Sequence, residues 1–546
     1  MTETLRANET GGTGFSGLAV AARAAGSPDA FLVEDEPEAV RKVLLELEKP
    51  VWVVLRGGKT CIVSGDLLAQ IEALLAAAPA LPVENLGSAQ FKKTYGVRCA
   101  MVAGAMANAI ASVEMVTALG RDGLMGSFGA AGLVRSQLEA AVRQVQAALP
   151  DGPYAFNLIH SPNEEALERS AVDVYLQAGV HVIEASAYID LSPSLVLYRA
   201  AGLAPGPGGG VHTGNRVIAK ISRREVAARF MQPAPENLLE QLLRDGRITP
   251  LQAELARRVP VADDLTVEAD SGGHTDNRPL VSLLPAILAL RDEMQRQYGY
   301  AEPLRVGAAG GISTPAAALA AFMMGAAYVV TGSINQACVE SGASEHTKKL
   351  LAQAGMADVA MAPSADMFEM GVRVQVLKHG TLFPMRALKL YDLYTRCDSI
   401  EHIPAAEREK LETQVFKRSL DSVWEETVRF FEARDPAQIE RASNNPKRKM
   451  ALIFRWYLGL SSRWSNSGEK GREMDYQIWC GPSMGSFNDW VRGTYLSEPH
   501  NRKIVDVTRH IFQGAAYLYR VQALKLQGVQ FPASLEQYYP AAPLAG

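Results

Sequence analysis

The chain has few of the features that place a protein in a membrane, outside the cell or on nucleic acid. Its most apolar stretch, residues 315–330, is interrupted by Gly325 and is too short to span a bilayer, so a buried helix followed by a strand accounts for it. Only five cysteines occur in 546 residues: Cys61, Cys99, Cys338, Cys397 and Cys480. They are odd in number and far apart, with no CxxC pair and no Cys/His cluster, which speaks for a reducing compartment and against structural zinc. Residues 1–6 carry Glu3 and run into Gly/Thr/Ala-rich sequence, not into the apolar core of a signal peptide. Charged residues make up 21%, the net charge is −4 and no dense basic patch exists, so neither nucleic acid nor an acidic membrane surface is an expected partner. A soluble, cytoplasmic protein is expected. At 48% hydrophobic, a chain of this length should hold two or three domains.

Glycine is where the sequence becomes specific. Residues 305–309 are mostly small and apolar and read as a buried strand, and Gly310-Gly311-Ile312 follows directly. A helix is expected over 313–324, with a Ser/Thr cap and Pro315 in its first turn. Residues 328–330 form the next strand and end in Thr331-Gly332-Ser333. One Gly-Gly usually marks a plain turn. Two successive strands ending in Gly loops leave backbone N–H groups bare at both, an arrangement that cradles a phosphate. In a (β/α)₈ barrel, the loops after strands 7 and 8 hold phosphate most often.

Eight strand candidates precede and include these two: 98–103, 124–128, 154–158, 181–184, 216–219, 265–269, 305–308 and 328–331. Helical segments such as 133–148 and 164–177 lie between most of them, implying a parallel sheet. The fold class is therefore α/β, a (β/α)₈ TIM barrel with a small N-terminal α/β unit and a C-terminal helical domain. The expected divisions are a disordered start over 1–28, the α/β unit over 29–90 and the barrel over 91–342. A helical insertion falls at about 222–264 of the barrel. The helical domain covers 343–532 and a tail 533–546. Within the N-terminal unit, helices are expected over 36–48 and 65–78 and a strand over 51–55. Five of six tryptophans fall after residue 342, where helices are expected over 407–431 and 501–527.

Chemistry in such barrels sits at the C-terminal strand ends. Strand 1 ends in Ala103, Gly104, Ala105 and Met106, small enough for a flat ring to lie against the backbone. Strand 3 ends with Asn157 and then His160, strand 4 at Glu184 and strand 5 at Lys220. Strand 6 runs into Glu268, Asp270, Ser271, Gly272, Gly273 and His274. Lys220 follows mostly apolar residues, so it either points into the barrel mouth toward an anionic partner or snorkels to solvent. His274, aimed by two glycines, could donate a proton or hold a carbonyl, or could be an ordinary loop histidine. Asn157 could bond a heteroaromatic edge or tie down backbone. Glu184 could orient Lys220 or form a structural ion pair with it. Glu268, Asp270, His274 and Asp276 are metal-ligand types, but no helix fixes their spacing and no metal is expected.

Longer strings carry a resemblance. Gly272-Gly273-His274, Gly310-Gly311-Ile312 and Thr331-Gly332-Ser333 together resemble the nitronate monooxygenase and FMN-dependent enoyl-ACP reductase superfamily of TIM barrels. The strings VAGAMANAIAS (102–112), FNLIHSPNE (156–164), VIEASAY (182–188), VEADSGGHTDNRPL (267–280), APSADMFEMGV (362–372), MALIFRWYLGLSSRW (450–464) and DYQIWCGPSMG (475–485) narrow it. They are similar to the PfaD type, the discrete enoyl reductases of polyunsaturated fatty-acid synthases and trans-acyltransferase polyketide synthases. The general superfamily carries Glu-Ala-Gly-Gly-His where this chain has Asp270-Ser271-Gly272-Gly273-His274, a departure that weakens any transfer of nitronate chemistry.

The resemblance implies FMN, a nicotinamide reductant (NADPH, with NADH the alternative) and reduction of the 2,3-double bond of an acyl thioester on acyl carrier protein. It implies that Gly310, Gly311, Gly332 and Ser333 hold the phosphate. Ala103, Gly104, Met106 and Asn157 would frame the ring, with Lys220 at its N1/O2 edge, and Gly272 and Gly273 would also bind the cofactor. His274 becomes the candidate proton donor or thioester holder, with Lys220, a tyrosine of the helical domain or water as alternatives. The expected partners are acyl carrier protein domains of a synthase, met in trans, and a homodimer is allowed. Lys92-Lys93, Arg223-Arg224 and Lys447-Arg448-Lys449 are candidate docking charges or plain solvated ones. Gly481-Pro482-Ser483-Met484-Gly485 spells a nucleophile elbow but is expected to lie among helices, not after a strand. A carrier-type serine is not expected at Asp421-Ser422-Val423, placed inside a long helix. The competing readings are a nitronate-oxidising flavoprotein and a flavin-free barrel that binds phosphorylated ligands or scaffolds a synthase.

Overall fold

A computed structural model describes residues 31–33, 35–66, 71–160 and 165–544; the expected disorder over 1–28 lies outside them. Contacts divide the chain into two compact units, residues 1–83 with 515–538, and 84–514 with 539–546.

The larger unit holds a closed parallel barrel of eight strands: β1 (Met101–Ala103), β2 (Met125–Phe128), β3 (Tyr154–Ile159), β4 (Val182–Ser186), β5 (Arg216–Ile221), β6 (Asp264–Glu268), β7 (Arg305–Ala309) and β8 (Val329–Thr331). Every candidate strand of the sequence is present. β8 closes on β1 with Val329 opposite Met101 and Thr331 opposite Ala103. The strands are short and almost wholly buried, with Ala, Val, Gly and Ser filling the wall. At the N-terminal face, Arg305 grips Asp264 through two bonds of 2.6 and 2.7 Å, and Asp263 takes Arg199 and Arg216 at 2.8 Å each. Such buried pairs at the face away from the chemistry serve stability. The helix after β7, Pro315–Met323, is capped by Thr314 as its sequence implies. Of the expected 222–264 insertion, Arg224–Met231 packs on β5 as an ordinary barrel helix, and Glu236–Arg244 and Pro250–Ala256 are the added pieces.

Beyond the barrel, helices dominate as expected, with a small antiparallel sheet added. Its strands are Val359–Pro363, Arg373–Leu377 and the dipeptide Gly273–His274. Three cap helices matter for the site: α1 (Leu420–Arg434), α2 (Pro446–Ser467) and α3 (Ser483–Trp490). The expected continuous helix over 407–431 is broken. Ala405–Lys410 passes into a π-helical turn at Leu411–Phe416, Lys417 takes φ 58°, and Ser419 caps α1 by accepting the Ser422 N–H at 3.2 Å. Asp421-Ser422-Val423 accordingly lies in the first turn of a helix, not inside one. The cap core is aromatic, with Phe368, Phe383, Phe416, Phe454 and Tyr457 all buried.

In the smaller unit, helix Pro37–Leu45 accompanies an antiparallel sheet of Lys59–Ser64, Val51–Arg56 and Ala73–Ala78. The helix expected over 65–78 is wrong in its described part: Ala73–Ala78 is a strand, and 67–70 lie outside the described residues. Alanine and leucine favour a helix locally, but the open edge of Val51–Arg56 offers a ladder of hydrogen bonds, broken only by a register shift between Val53 and Val54, and tertiary pairing overrides propensity. Gly57-Gly58, both at positive φ, make the two-residue hairpin turn that precedes it.

Candidate active site

One cavity of about 590 Å³ opens at the C-terminal ends of the strands, within the usual size of a small-molecule site. Eleven of the twelve site residues read from the sequence line it: Gly104, Met106, Asn157, Lys220, Gly272, Gly273, His274, Gly310, Gly311, Gly332 and Ser333. Ala103 does not; it is 1% exposed within the wall of β1.

The loop after β1 is held in place by main chain and one carboxylate. Gly104 N–H donates to Thr331 O at 2.9 Å, and a Cβ at Gly104 would meet Val330 at 3.0 Å. Ala105 N–H donates to Glu184 Oε2 at 2.8 Å. Asn157 donates to Glu184 O at 3.0 Å and to Ser186 Oγ at 2.9 Å, so its amide ties strand ends together while lining the cavity. Ala187, next along, also lines the cavity and sits at φ 62°, a strained conformation for a residue with a Cβ.

Lys220 points into the mouth. Its Nζ lies 2.9 Å from Glu268 Oε1 and 4.0 Å from Glu184 Oε1. Burial opposes its charge, but the two carboxylates outweigh burial and hold the ammonium above the ordinary lysine range. The remaining metal-type residues turn to separate partners. Asp270 accepts from Gln375 and Asn277 at 2.8 Å each, and Asp276 accepts from Arg223 and Ser222. Among the described residues no cluster of His, Cys, Asp or Glu could hold a metal ion.

His274 is placed by the cap. Gly273 and His274 pair with Gln375 and Val374, and Gln375 bonds Ser271 O at 2.8 Å, so the loop after β6 is zipped to the cap sheet. His274 Nε2 stands 3.2 Å from Ser364 Oγ and 3.3 Å from Asp366 Oδ1. Burial works against the imidazolium, but Asp366 more than compensates and raises the histidine above its usual value. In return, and against its own burial, the Asp366 carboxyl is held well below the ordinary carboxylate range. Asp366 and Ser364 are not legible as site residues from the sequence. They lie within the APSADMFEMGV string, but nothing local to it shows that the strand Val359–Pro363 ends beside His274.

The two Gly loops have the character of a phosphate cradle. Gly310 and Gly311 both take φ 78°; a Cβ on Gly310 would strike Ala269 C at 2.6 Å, whereas Gly311 and Gly332 face space with nothing within 4 Å. Around them the buried Thr331 Oγ1, Ser313 Oγ and Gln336 Nε2 have no partner. Buried polar atoms left without bonds are rare unless a ligand satisfies them. The open space before Gly311 and Gly332 has room for the phosphate of a cofactor such as FMN.

The cap completes the floor. Gly481 N–H donates to Ser333 Oγ at 3.0 Å. A Cβ on Gly272 would meet Cys480 N at 2.8 Å, and one on Gly481 would meet Gly272 N at 2.8 Å. A Cβ on Gly485 would meet Met356 N at 2.1 Å. The glycines of the Gly-x-Ser-x-Gly string are therefore demanded by close packing. Trp479 forms an isolated bridge with Val376, and no strand leads into Ser483, which opens α3 at the cavity wall. The basic stretches are largely engaged: Lys92 by Glu84 O, Arg223 by Asp276, Arg224 by Glu293, and Lys447 by the carbonyls of Tyr394 and Cys397.

Comparison with known proteins decides what kind of barrel this is. The crystal structure of the enoyl reductase domain of MlnA, from the macrolactin biosynthesis cluster of Bacillus amyloliquefaciens, superposes with a TM-score of 0.77 at 39% identity, covering 82% of this chain and 100% of that domain. The chain belongs to the PfaD-type enoyl reductase family. Among this family's relatives, one of the polyunsaturated fatty acid synthase subunits of Thraustochytrium sp. is 52% identical over 448 residues, 81% of this chain and 30% of that protein. The polyketide biosynthesis protein PksE of Bacillus subtilis is 47% identical over 439 residues, 80% of this chain and 57% of PksE. The chain thus spans less than a third of one curated relative and just over half of the other. Residues 397–476 of the chain match a further family, described as [acyl-carrier-protein] S-malonyltransferase, inserted helical domain. Among the described residues, no helix is long and apolar enough to cross a membrane.

Proposed function

We propose that the protein reduces the 2,3-double bond of enoyl thioesters on acyl carrier protein, acting in trans within polyketide or polyunsaturated fatty-acid biosynthesis, with FMN as cofactor and NADPH or NADH as reductant. The observation that carries this reading is the MlnA enoyl reductase domain, matched along its whole length at 39% identity. The relatives named as synthase subunits and polyketide biosynthesis proteins support the pathway, and the match of the cap to a helical domain from an acyl-carrier-protein transferase supports the carrier.

Bound FMN would accept hydride from the nicotinamide and supply it to the acyl β-carbon, chemistry that belongs to the cofactor. The protein's share is positioning and charge. Gly310, Gly311, Gly332 and Ser333 would hold the phosphate with backbone N–H groups. Gly104, Met106, Asn157, Gly272 and Gly273 would frame the ring. Lys220, its ammonium maintained by Glu268 and Glu184, would stabilise negative charge at the ring's pyrimidine edge. His274, its imidazolium favoured by Asp366, would hold the thioester oxygen as negative charge develops there. With Nε2 directed to Asp366, the proton on Nδ1 is the one offered, either as a hydrogen bond to that oxygen or for transfer to the α-carbon.

The test is anaerobic. The purified protein is reduced with NADPH, a 2-enoyl-pantetheine thioester is added, and the visible flavin absorbance is followed. Return of the oxidised band together with saturated thioester is the expected result. A band that bleaches but recovers only with oxygen or a nitroalkane would replace the proposal with a nitronate monooxygenase. A protein that stays colourless after FMN addition would replace it with a flavin-free barrel.

A further inference from the structure

The cavity extends past the Gly loops to a wall made by the cap, where Thr427 and Phe430 of α1 face Leu452, Trp456, Gly459 and Arg463 of α2. Gly459 lies deep inside the 22-residue α2. A glycine there costs about 1 kcal/mol relative to alanine, so its presence calls for a reason. Backbone conformation is not the reason, because Gly459 is absent from the glycines at positive φ. Packing is not the reason either: a Cβ at Gly459 would have nothing within 4 Å. Gly272, Gly481 and Gly485 are different, each forced by a neighbouring backbone atom at 2.1–2.8 Å. What remains is the space in front of Gly459, which belongs to the cavity.

That space is lined by Phe430 and Trp456 together with charged side chains that have partners of their own. Phe430 is 41% exposed although it is aromatic, and its exposed surface borders the cavity. Of the charged groups, Glu426 is engaged by Arg418 at 2.6 Å, Arg455 by Glu369 at 3.4 Å, and Arg463 donates to Gly132 O at 3.5 Å. An apolar ligand segment suits such a wall, and a charged one does not. Leu452, Trp456, Gly459 and Arg463 recur at the 3–4-residue spacing of one helix face. Leu452 and Trp456 on this face pack into the cap cores, whereas Gly459, next on the same face, leaves open space.

We infer that the α1/α2 wall holds the acyl chain of the thioester, and that Gly459 sets the length and bulk of chain admitted. This rests on the enoyl reductase reading above. The pantetheine arm, common to every carrier-bound substrate, is the other segment that could lie there, and chain length tells the two apart.

The experiment compares wild type, Gly459→Ala and Gly459→Leu on 2-butenoyl- and 2-decenoyl-pantetheine, and measures calorimetric binding of butyryl- and decanoyl-pantetheine to the same proteins. Leucine is a better helix former than glycine, so folding of α2 is not at risk. For Gly459→Leu, the decenoyl-to-butenoyl ratio of kcat/KM should fall at least about tenfold, with a parallel shift in the ratio of Kd values and Gly459→Ala in between. Equal losses on both chain lengths would assign the space to the pantetheine arm and overturn the inference, as would no loss on either. Wild-type protein that turns over neither thioester would refute the enoyl reductase reading instead, and the binding ratio would then decide the pocket alone.

Discussion

On the barrel side of the cavity, what a ligand meets is largely backbone: Gly104, Gly310, Gly311 and Gly332, with a few charged groups held by partners of their own. On the cap side it meets side chains, among them Phe430 and Trp456, carried on two helices. The difference is physical. A phosphate and a flat ring have the same shape in every turnover and are best held by fixed N–H groups that only glycine exposes fully. An acyl chain varies and is held by non-directional burial, which side-chain volume can tune. Between the two walls stands His274, on a barrel loop but with its imidazolium favoured by the cap carboxylate Asp366, so its electrostatics depend on barrel and cap together.

The largest expected effect breaks the barrel wall. Gly311→Val fills the open cradle at φ 78° and should leave a colourless protein that does not turn yellow on FMN addition. Its stability to urea should drop by about 1–3 kcal/mol from backbone strain. Next, Asp475→Ala breaks the cap. Asp475 is fully buried, accepts from Tyr457 at 2.9 Å and Arg472 at 3.1 Å, and also binds Arg386. Removing it takes a partner from two half-buried guanidinium groups and from the buried Tyr457 hydroxyl, and urea unfolding should show a loss of about 1–3 kcal/mol. Asp366→Asn tests the junction. It should lower kcat/KM by about tenfold, less than the roughly 10²–10⁴ that an acid-base group supplies in full. Because Asp366 raises His274, wild-type activity that needs the imidazolium persists until pH climbs through the raised value. In Asp366→Asn that falling limb should move to lower pH, and an unmoved limb would detach Asp366 from His274 chemistry. Smallest is Phe430→Ala: exposed on the cavity wall, it should change stability by less than about 0.5 kcal/mol while weakening decanoyl-pantetheine binding several-fold. Loss of butyryl- and decanoyl-pantetheine binding alike would contradict an acyl role for that wall.

Much of the barrel is legible in the sequence. Short apolar runs alternating with helical segments locate all eight strands, since a parallel strand buried on both faces must be continuously apolar. The Gly loops and strand-end residues follow from the same pattern, and Lys220 and His274 stand out because strand-end positions in a barrel have a predictable address. Ala103 falls one residue too early, inside the wall. The helix expected over 65–78 fails because Ala and Leu carry no mark of the strand edge that captures them. The break in the 407–431 helix depends on Lys417 adopting a left-handed conformation, which no residue type demands at that point.

Periodicity and glycine placement alone therefore determined the barrel, the Gly loops at its C-terminal end and the candidates at its mouth, because those are consequences of local burial and backbone freedom. The tertiary structure alone decided that Ser364 and Asp366 meet His274, that Gly272 and Gly481 touch, and that Gly459 faces empty space. Each of these joins residues about 90 or more positions apart, or concerns a void, and neither a long-range contact nor an empty volume leaves a trace in the local pattern of a chain.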